Sequence, residues 1–273
     1  MQINPNNHLK NNYYSDLAHL GLLKISGNRS KELLQGQLTC QMDDITSEQS
    51  RLGAHCNPKG RIISFFRIFL IHYSYYLQMP LELIPIAKKA LEKYAIFFKV
   101  EIEDATNDLH KIIINSNQFS DKENESKNLF IFKIADESPH YEVFGSKNDI
   151  DELTARLNAS DIKHDNLAWQ TLETFNFIPN IYPETSEVFL PHELGLPKIN
   201  AVNFQKGCYT GQEIIARMEY RGKLKSKLEL EAFASNIDIT RGNDLTVENG
   251  NKCQVVDYCT LSNNEILAMI ITK

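Results

Sequence analysis

The sequence predicts an α+β fold on three observations. Segments rich in β-branched and aromatic residues lie next to one another across short turns, so they pair locally as antiparallel strands. Helical periodicities fall before and after these groups rather than between single strands, which argues against a doubly wound parallel sheet. No internal period appears, which excludes solenoids and propellers. The 273 residues are 42% hydrophobic and 23% charged, ordinary for a globular chain that builds one large domain or two to three small lobes.

The elements follow in chain order. Ser26-Gly-Asn28 precedes a short helical pattern with Leu33 and Leu34 on one face, ending in Gln35-Gly-Gln37. Asn57-Pro-Lys-Gly60 is a turn by composition. Ile62 to His72 and Tyr75 to Met79 read as two antiparallel strands around a tight connection. Pro85 opens a run in which Ile86, Ala90, Leu91 and Tyr94 keep helical spacing, and Val100 to Glu103 follows as a strand. Leu109 to Ile114 and Leu129 to Ile134 flank Ser116 to Asn128, a polar segment read as an exposed loop. Asp149 to Leu157 and Leu167 to Phe175 are amphipathic helices, and Lys223 to Phe233 opens a series of short strands.

The formal charge of -6 does not mark the molecule as a whole for nucleic acid or an anionic membrane. The first residues lack the apolar core of a signal peptide. The densest apolar stretch, Ile62 to Ile71, is broken by Arg67 and falls short of the ~20 residues of a spanning helix. A cytoplasmic, monomeric protein without membrane contact is expected. The five cysteines, Cys40, Cys56, Cys208, Cys253 and Cys259, are scattered and contain no C-x-x-C pair, so neither a disulfide framework nor a resident metal is expected.

The richest stretch runs from Phe204 to Gly222. Thr210 followed by Glu213 reads as a capping box that starts a helix at Gly211, with Ile214, Ile215 and Met218 on its buried face and Gly222 as its stop. Cys208 then lies just outside a helix N-terminus, with Lys206 two residues away, and both favour a thiolate. The alternative is a small buried thiol that only packs. A Cys-His hydrolase with His55, His164 or His192 as base is a further reading, although no triad signature marks any of them. From Gln205 to Lys227, six bases face two acids, a net of +4 against -10 elsewhere. Such a strip suits an anionic ligand tail or an RNA backbone, and is also what a solvated helix end looks like.

Lys206-Gly-Cys-Tyr-Thr-Gly-Gln-Glu213 resembles the K-G-C-Y-x-G-Q-E hallmark of the YgfZ family, folate-binding relatives of the glycine-cleavage T-protein implicated in maintaining iron-sulfur enzymes. Leu34-Gln-Gly-Gln-Leu-Thr39 and Asn57-Pro-Lys-Gly-Arg61 resemble the family's Q-G-Q-x-T and N-P-K-G-R elements, in the same order. The resemblance implies a ring of α+β lobes around a channel: a folate-binding region over residues 1–222, its two lobes interleaved around 45–145, and a small β-barrel-like domain over 223–273. It implies tetrahydrofolate or a derivative as ligand, iron-sulfur enzymes or assembly proteins as partners, and an indirect link to tRNA thiolation. Glu173 occupies the similar place to the carboxylate that holds the pterin, whose amino group and ring N-H form a donor pair for a bidentate acceptor.

Cys208 is the candidate functional thiol, with Lys206 and the helix end to hold its charge. Tyr209, Gln212 and Glu213 would shape the channel, and Arg217 and Arg221 would take the ligand's glutamate tail. Where the T-protein carries a catalytic aspartate pair, this chain has Ser64 and Phe65. A phenyl ring transfers no proton, which argues against aminomethyl transfer. A folate-dependent C1 transferase and a direct tRNA-binding module remain the rival functions.

Overall fold

The computed structural model describes residues 12–119, 128–134, 139–246, 250, 252–261 and 263–272. In chain order the elements are β1 (Tyr13–Asp16), β2 (Leu20–Ser26), α1 (Ser30–Gln37), β3 (Arg51–Cys56), β4 (Ile62–Ile71), β5 (Ser74–Pro80), α2 (Ile84–Phe98), β6 (Glu101–Asp104), β7 (His110–Asn115), β8 (Phe130–Lys133) and β9 (His140–Gly145). They continue with α3 (Lys147–Ala159), β10 (Lys163–His164), α4 (Ala168–Phe175), α5 (Gln212–Arg221), β11 (Lys227–Phe233), β12 (Asp244–Thr246), β13 (Lys252–Thr260) and β14 (Ile266–Thr272).

These strands form three sheets, confirming the α+β class: β10-β1-β7-β9-β8, β3-β4-β5-β2-β6 and β11-β14-β13-β12. The chain starts in the first sheet, builds the whole of the second, and returns to complete the first. Phe69 of β4 packs 4.4 Å from Phe144 of β9 and 5.1 Å from Phe132 of β8, joining the two sheets through an aromatic layer. The third sheet is antiparallel, with no β11–β12 pair to close it among the described residues. It does not stand alone: Val256, Met269 and Ile271 are buried in one core with Leu34, Ile62 and Ile215. α4 packs on both β13 and β14, which ties this sheet to the rest of the molecule.

Local chemistry sets the ends of the elements. Pro85 sits in the first turn of α2, where its missing N-H costs no helix bond, and α2 stops at Lys99 in the left-handed region. β4 is buried along almost its whole length, including Arg67. The expected exposed loop over Ser116–Asn128 needs correction at its start, because Ser116 and Phe119 are buried and Phe119 meets the Tyr141 ring edge-on. Residues 120–127 of that loop lie outside the described residues.

Candidate functional site

The three motif segments meet in space. Thr210 donates its N-H to the Gly36 carbonyl at 3.2 Å and its hydroxyl to Gln37 Oε1 at 3.0 Å. Lys206 Nζ donates to the carbonyls of Leu38 and Cys40 at 2.6 and 2.7 Å. Thr39 Oγ1 donates to the Ala201 carbonyl at 2.6 Å and accepts the Ala54 N-H at 2.8 Å, fastening the segment before the third motif to β3. The Asn57 turn is closed by its own side chain, whose Oδ1 accepts the N-H groups of Lys59 and Arg61. Gly211, at φ +84°, fits against that turn so closely that a Cβ would lie 2.6 Å from the Asn57 carbonyl.

This junction corrects several sequence expectations. Gly211 itself caps α5, with no side-chain cap bond, because the Thr210 hydroxyl is drawn to Gln37 instead. Of the expected apolar face only Ile215 is fully buried. Lys206 does not stand over the Cys208 thiol; it is buried, its ammonium held by two carbonyls and lying 5.1 Å over the Tyr209 ring. Burial lowers its pKa to about 8. Cys208 is exposed, whereas the other four cysteines are buried, so the purely packed thiol is excluded for this residue.

No histidine named above is bonded to Cys208. His55 is buried and held neutral by desolvation, with a pKa near 4; His164 pairs with Asp16, and His192 with Glu219. Ser64 and Phe65 are both buried in β4.

The large cavity lies elsewhere, between β3, β4, α4 and the 199–205 segment, with a volume of about 1030 Å³. Of the eight nominated binding and catalytic residues, Glu173 is the one that lines it. Its neighbours in the wall include Arg51, Arg67, His140, Trp169 and Asn203. Tyr209 is buried with its hydroxyl unpartnered, Gln212 is half-buried, and Glu213 is exposed and pairs with Arg217 at 3.1 Å. Arg221 is exposed at the end of α5. The basic strip is therefore weaker than its count: Lys206 is buried, and Arg217 and Lys227 pair with Glu213 and Glu229.

Glu173 does not face solvent. It is 9% exposed, its Oε2 has no hydrogen-bond partner, and burial pushes its carboxyl up to about 8 against the pull of Arg67. Its helix also presents Trp169, Leu172 and Asn176 to the cavity, the i, i+3, i+4 and i+7 spacing of one face. Two residues of the site were passed over in the sequence. Arg67 and Glu142, single charges inside buried apolar strands, form an ion pair at 3.2 Å beside Glu173. A lone charge interrupting an apolar strand was the available signal, since such residues are seldom buried without a partner.

The fold and the enclosed carboxylate define a class before they define a family. The chain is similar to the glycine cleavage system aminomethyltransferase T of Bartonella henselae, with a TM-score of 0.71 over 98% of this chain and 80% of that one, at 15% identity. That likeness is one of fold. No family model matches the chain. In sequence it is 31% identical over 234 residues to the tRNA-modifying protein YgfZ of Colwellia psychrerythraea, covering 81% of this chain and 71% of that one. It is 30% identical to the YgfZ of Vibrio atlanticus, over 81% and 70% of the two chains. The chain belongs to the YgfZ family.

Proposed function

We propose that the cavity binds tetrahydrofolate or a derivative, with the pterin edge on Glu173, and that the protein supports assembly or repair of iron-sulfur clusters and thereby tRNA thiolation. The buried, half-unpartnered Glu173 carboxyl in the wall of a ligand-sized cavity carries this reading. Ligand pockets run to roughly 1,000 Å³, so the volume suits a pterin with its tail. A carboxylate accepts two adjacent N-H donors in bidentate fashion, which the amino group and ring N-H of a pterin supply. The tail carboxylate falls to Arg51, the other guanidinium in the wall besides Arg67, rather than to Arg217 or Arg221.

Binding rather than aminomethyl transfer is favoured by Ser64 and Phe65, which offer no carboxylate where the T-protein resemblance expects one. Cys208 is the proposed contact for a cluster or a reactive adduct, as an exposed thiol three residues along the chain from the cavity residue Gln205. A single thiol supplies a fraction of the ligands a cluster needs, so that contact is shared with a partner. Among the described residues no helix is long and apolar enough to cross a membrane.

Titration of wild type and Glu173→Ala with tetrahydrofolate, read by fluorescence or calorimetry, tests the ligand and the site together. Saturable binding by wild type and its loss in the variant is expected. Equal binding by the two proteins, or none by wild type, would overturn the assignment.

A further inference from the structure

Behind Glu173 lies a buried charge cluster that the ligand reading leaves unexplained. Glu142 of β9 is fully buried and meets Arg67 Nε at 3.2 Å, an ion pair that satisfies neither of its oxygens with an aligned hydrogen bond. Arg67, 7% exposed, lines the cavity and acts on both Glu142 and Glu173. On the far side, the Asp257 carboxylate accepts the N-H groups of Asn180 at 2.9 Å and Tyr258 at 2.9 Å, and Nε-H of Arg241 at 2.8 Å. The Asn180 side chain in turn bonds Glu173. Arg241 lies between the rings of Tyr182 and Tyr258, 3.7 and 4.3 Å from their centroids, and is committed to Asp257.

Arg67 is thus left to serve two carboxyls. Arg67 is the cation that acts on both Glu173 and Glu142; Arg51 lies in the same cavity wall, and Lys111 acts on His19. Tyr13 of β1, Tyr182, and Cys259 of β13 are held neutral by burial. His140 of β9 is neutral, with a pKa near 4, and His19, which faces Asp257, is shifted downward by burial and by Lys111. Lys111 is itself set against Asp104, and β14 brings no titratable side chain. Two carboxylates sharing one guanidinium in a low-dielectric interior do not both ionise.

Resting on the pterin reading, we propose that ligand binding at Glu173 releases a proton, and that Glu142 is the positioning residue that keeps Glu173 protonated, by occupying Arg67, until a pair of N-H donors arrives. In the step, the O-H bond of the Glu173 carboxyl breaks and its proton passes to solvent. The two ligand N-H groups then donate to the carboxylate, and no covalent bond to the ligand forms. The raised pKa of Glu173 and the upward push on Glu142 agree with this arrangement.

Calorimetric titration with tetrahydrofolate at pH 7, in buffers of different ionisation enthalpy, reads the proton count directly. Release of close to one proton per ligand is expected, falling toward none above about pH 9. Glu142→Gln should still bind and release far fewer, because Arg67 then pairs with Glu173. Binding by wild type without proton release overturns the proposal, as does an unchanged count in Glu142→Gln. Infrared spectra of the ligand-free protein give a separate arm. A protonated-carboxyl band at pH 7, absent from Glu173→Gln and Glu142→Gln, supports the proposal, and its absence from wild type overturns it. Failure to bind tetrahydrofolate would sink the ligand reading while the band still decides the state of the cluster, and the wild-type measurements stand even where Glu142→Gln fails to fold.

Discussion

Glu173→Gln should make the free protein more stable at neutral and alkaline pH while it removes ligand binding. The Glu173 carboxyl moves from about 4.5 in the unfolded chain to about 8 in the fold, chiefly through burial. In that interval the folded state binds a proton that the unfolded state has lost, so stability falls as pH rises from 4.5 to 8. At 1.36 kcal/mol per unit the ceiling of the penalty is about 5 kcal/mol. The pull of Arg67 is already contained in that value, and Gln carries no such penalty at any pH. Urea titrations of both proteins at pH 5, 7 and 9 measure the effect. The stability difference should be small at pH 5 and grow toward that ceiling of about 5 kcal/mol in favour of Gln by pH 9. A difference that stays flat with pH, or a Gln variant less stable at pH 9, would refute the claim that this site holds a strained acid.

Gly211→Ala would force a left-handed residue into a Cβ contact of 2.6 Å with the Asn57 carbonyl, and should cost about 2–4 kcal/mol in urea unfolding. Lys206→Met strands the Leu38 and Cys40 carbonyls in the core, and should cost about 2–4 kcal/mol while leaving the reactivity of Cys208 toward a thiol reagent unchanged. Cys208→Ala touches an exposed side chain, so its thermal unfolding should match wild type within about 0.5 kcal/mol, yet it should fail to restore iron-sulfur enzyme activity in cells lacking the gene. The double variant Arg217→Ala, Arg221→Ala should keep its tetrahydrofolate affinity, whereas Arg51→Ala should weaken it by roughly tenfold, the loss of one charge-assisted contact.

Much of the architecture is legible in the sequence. The apolar runs around residues 62–71 and 74–80, the Pro85 helix and the amphipathic α3 and α4 all read correctly, because each pattern is local and each period reflects one buried face. Elements whose identity depends on distant partners were harder. β1 has four residues and exists because it lies between β7 and β10, and β9 was not anticipated at all. The capping box at Thr210 shows the same limit: the residues were right, yet a tertiary partner, Gln37, competed for the hydroxyl and won.

For the site, sequence by itself determined the three motifs, their order, the exposed-or-buried question posed by Cys208, and the nomination of Glu173. Tertiary structure decided what those residues do. It turned Lys206 from an electrostatic neighbour of a thiol into a tie between two segments, and moved Arg217 and Arg221 off the cavity onto the surface. It also brought Arg67, Glu142 and Asp257, from three strands, to the carboxyl of α4. The reason is that motif spacing constrains neighbours along the chain. Dielectric, charge sharing and the satisfaction of buried polar groups depend on what the fold brings from far away.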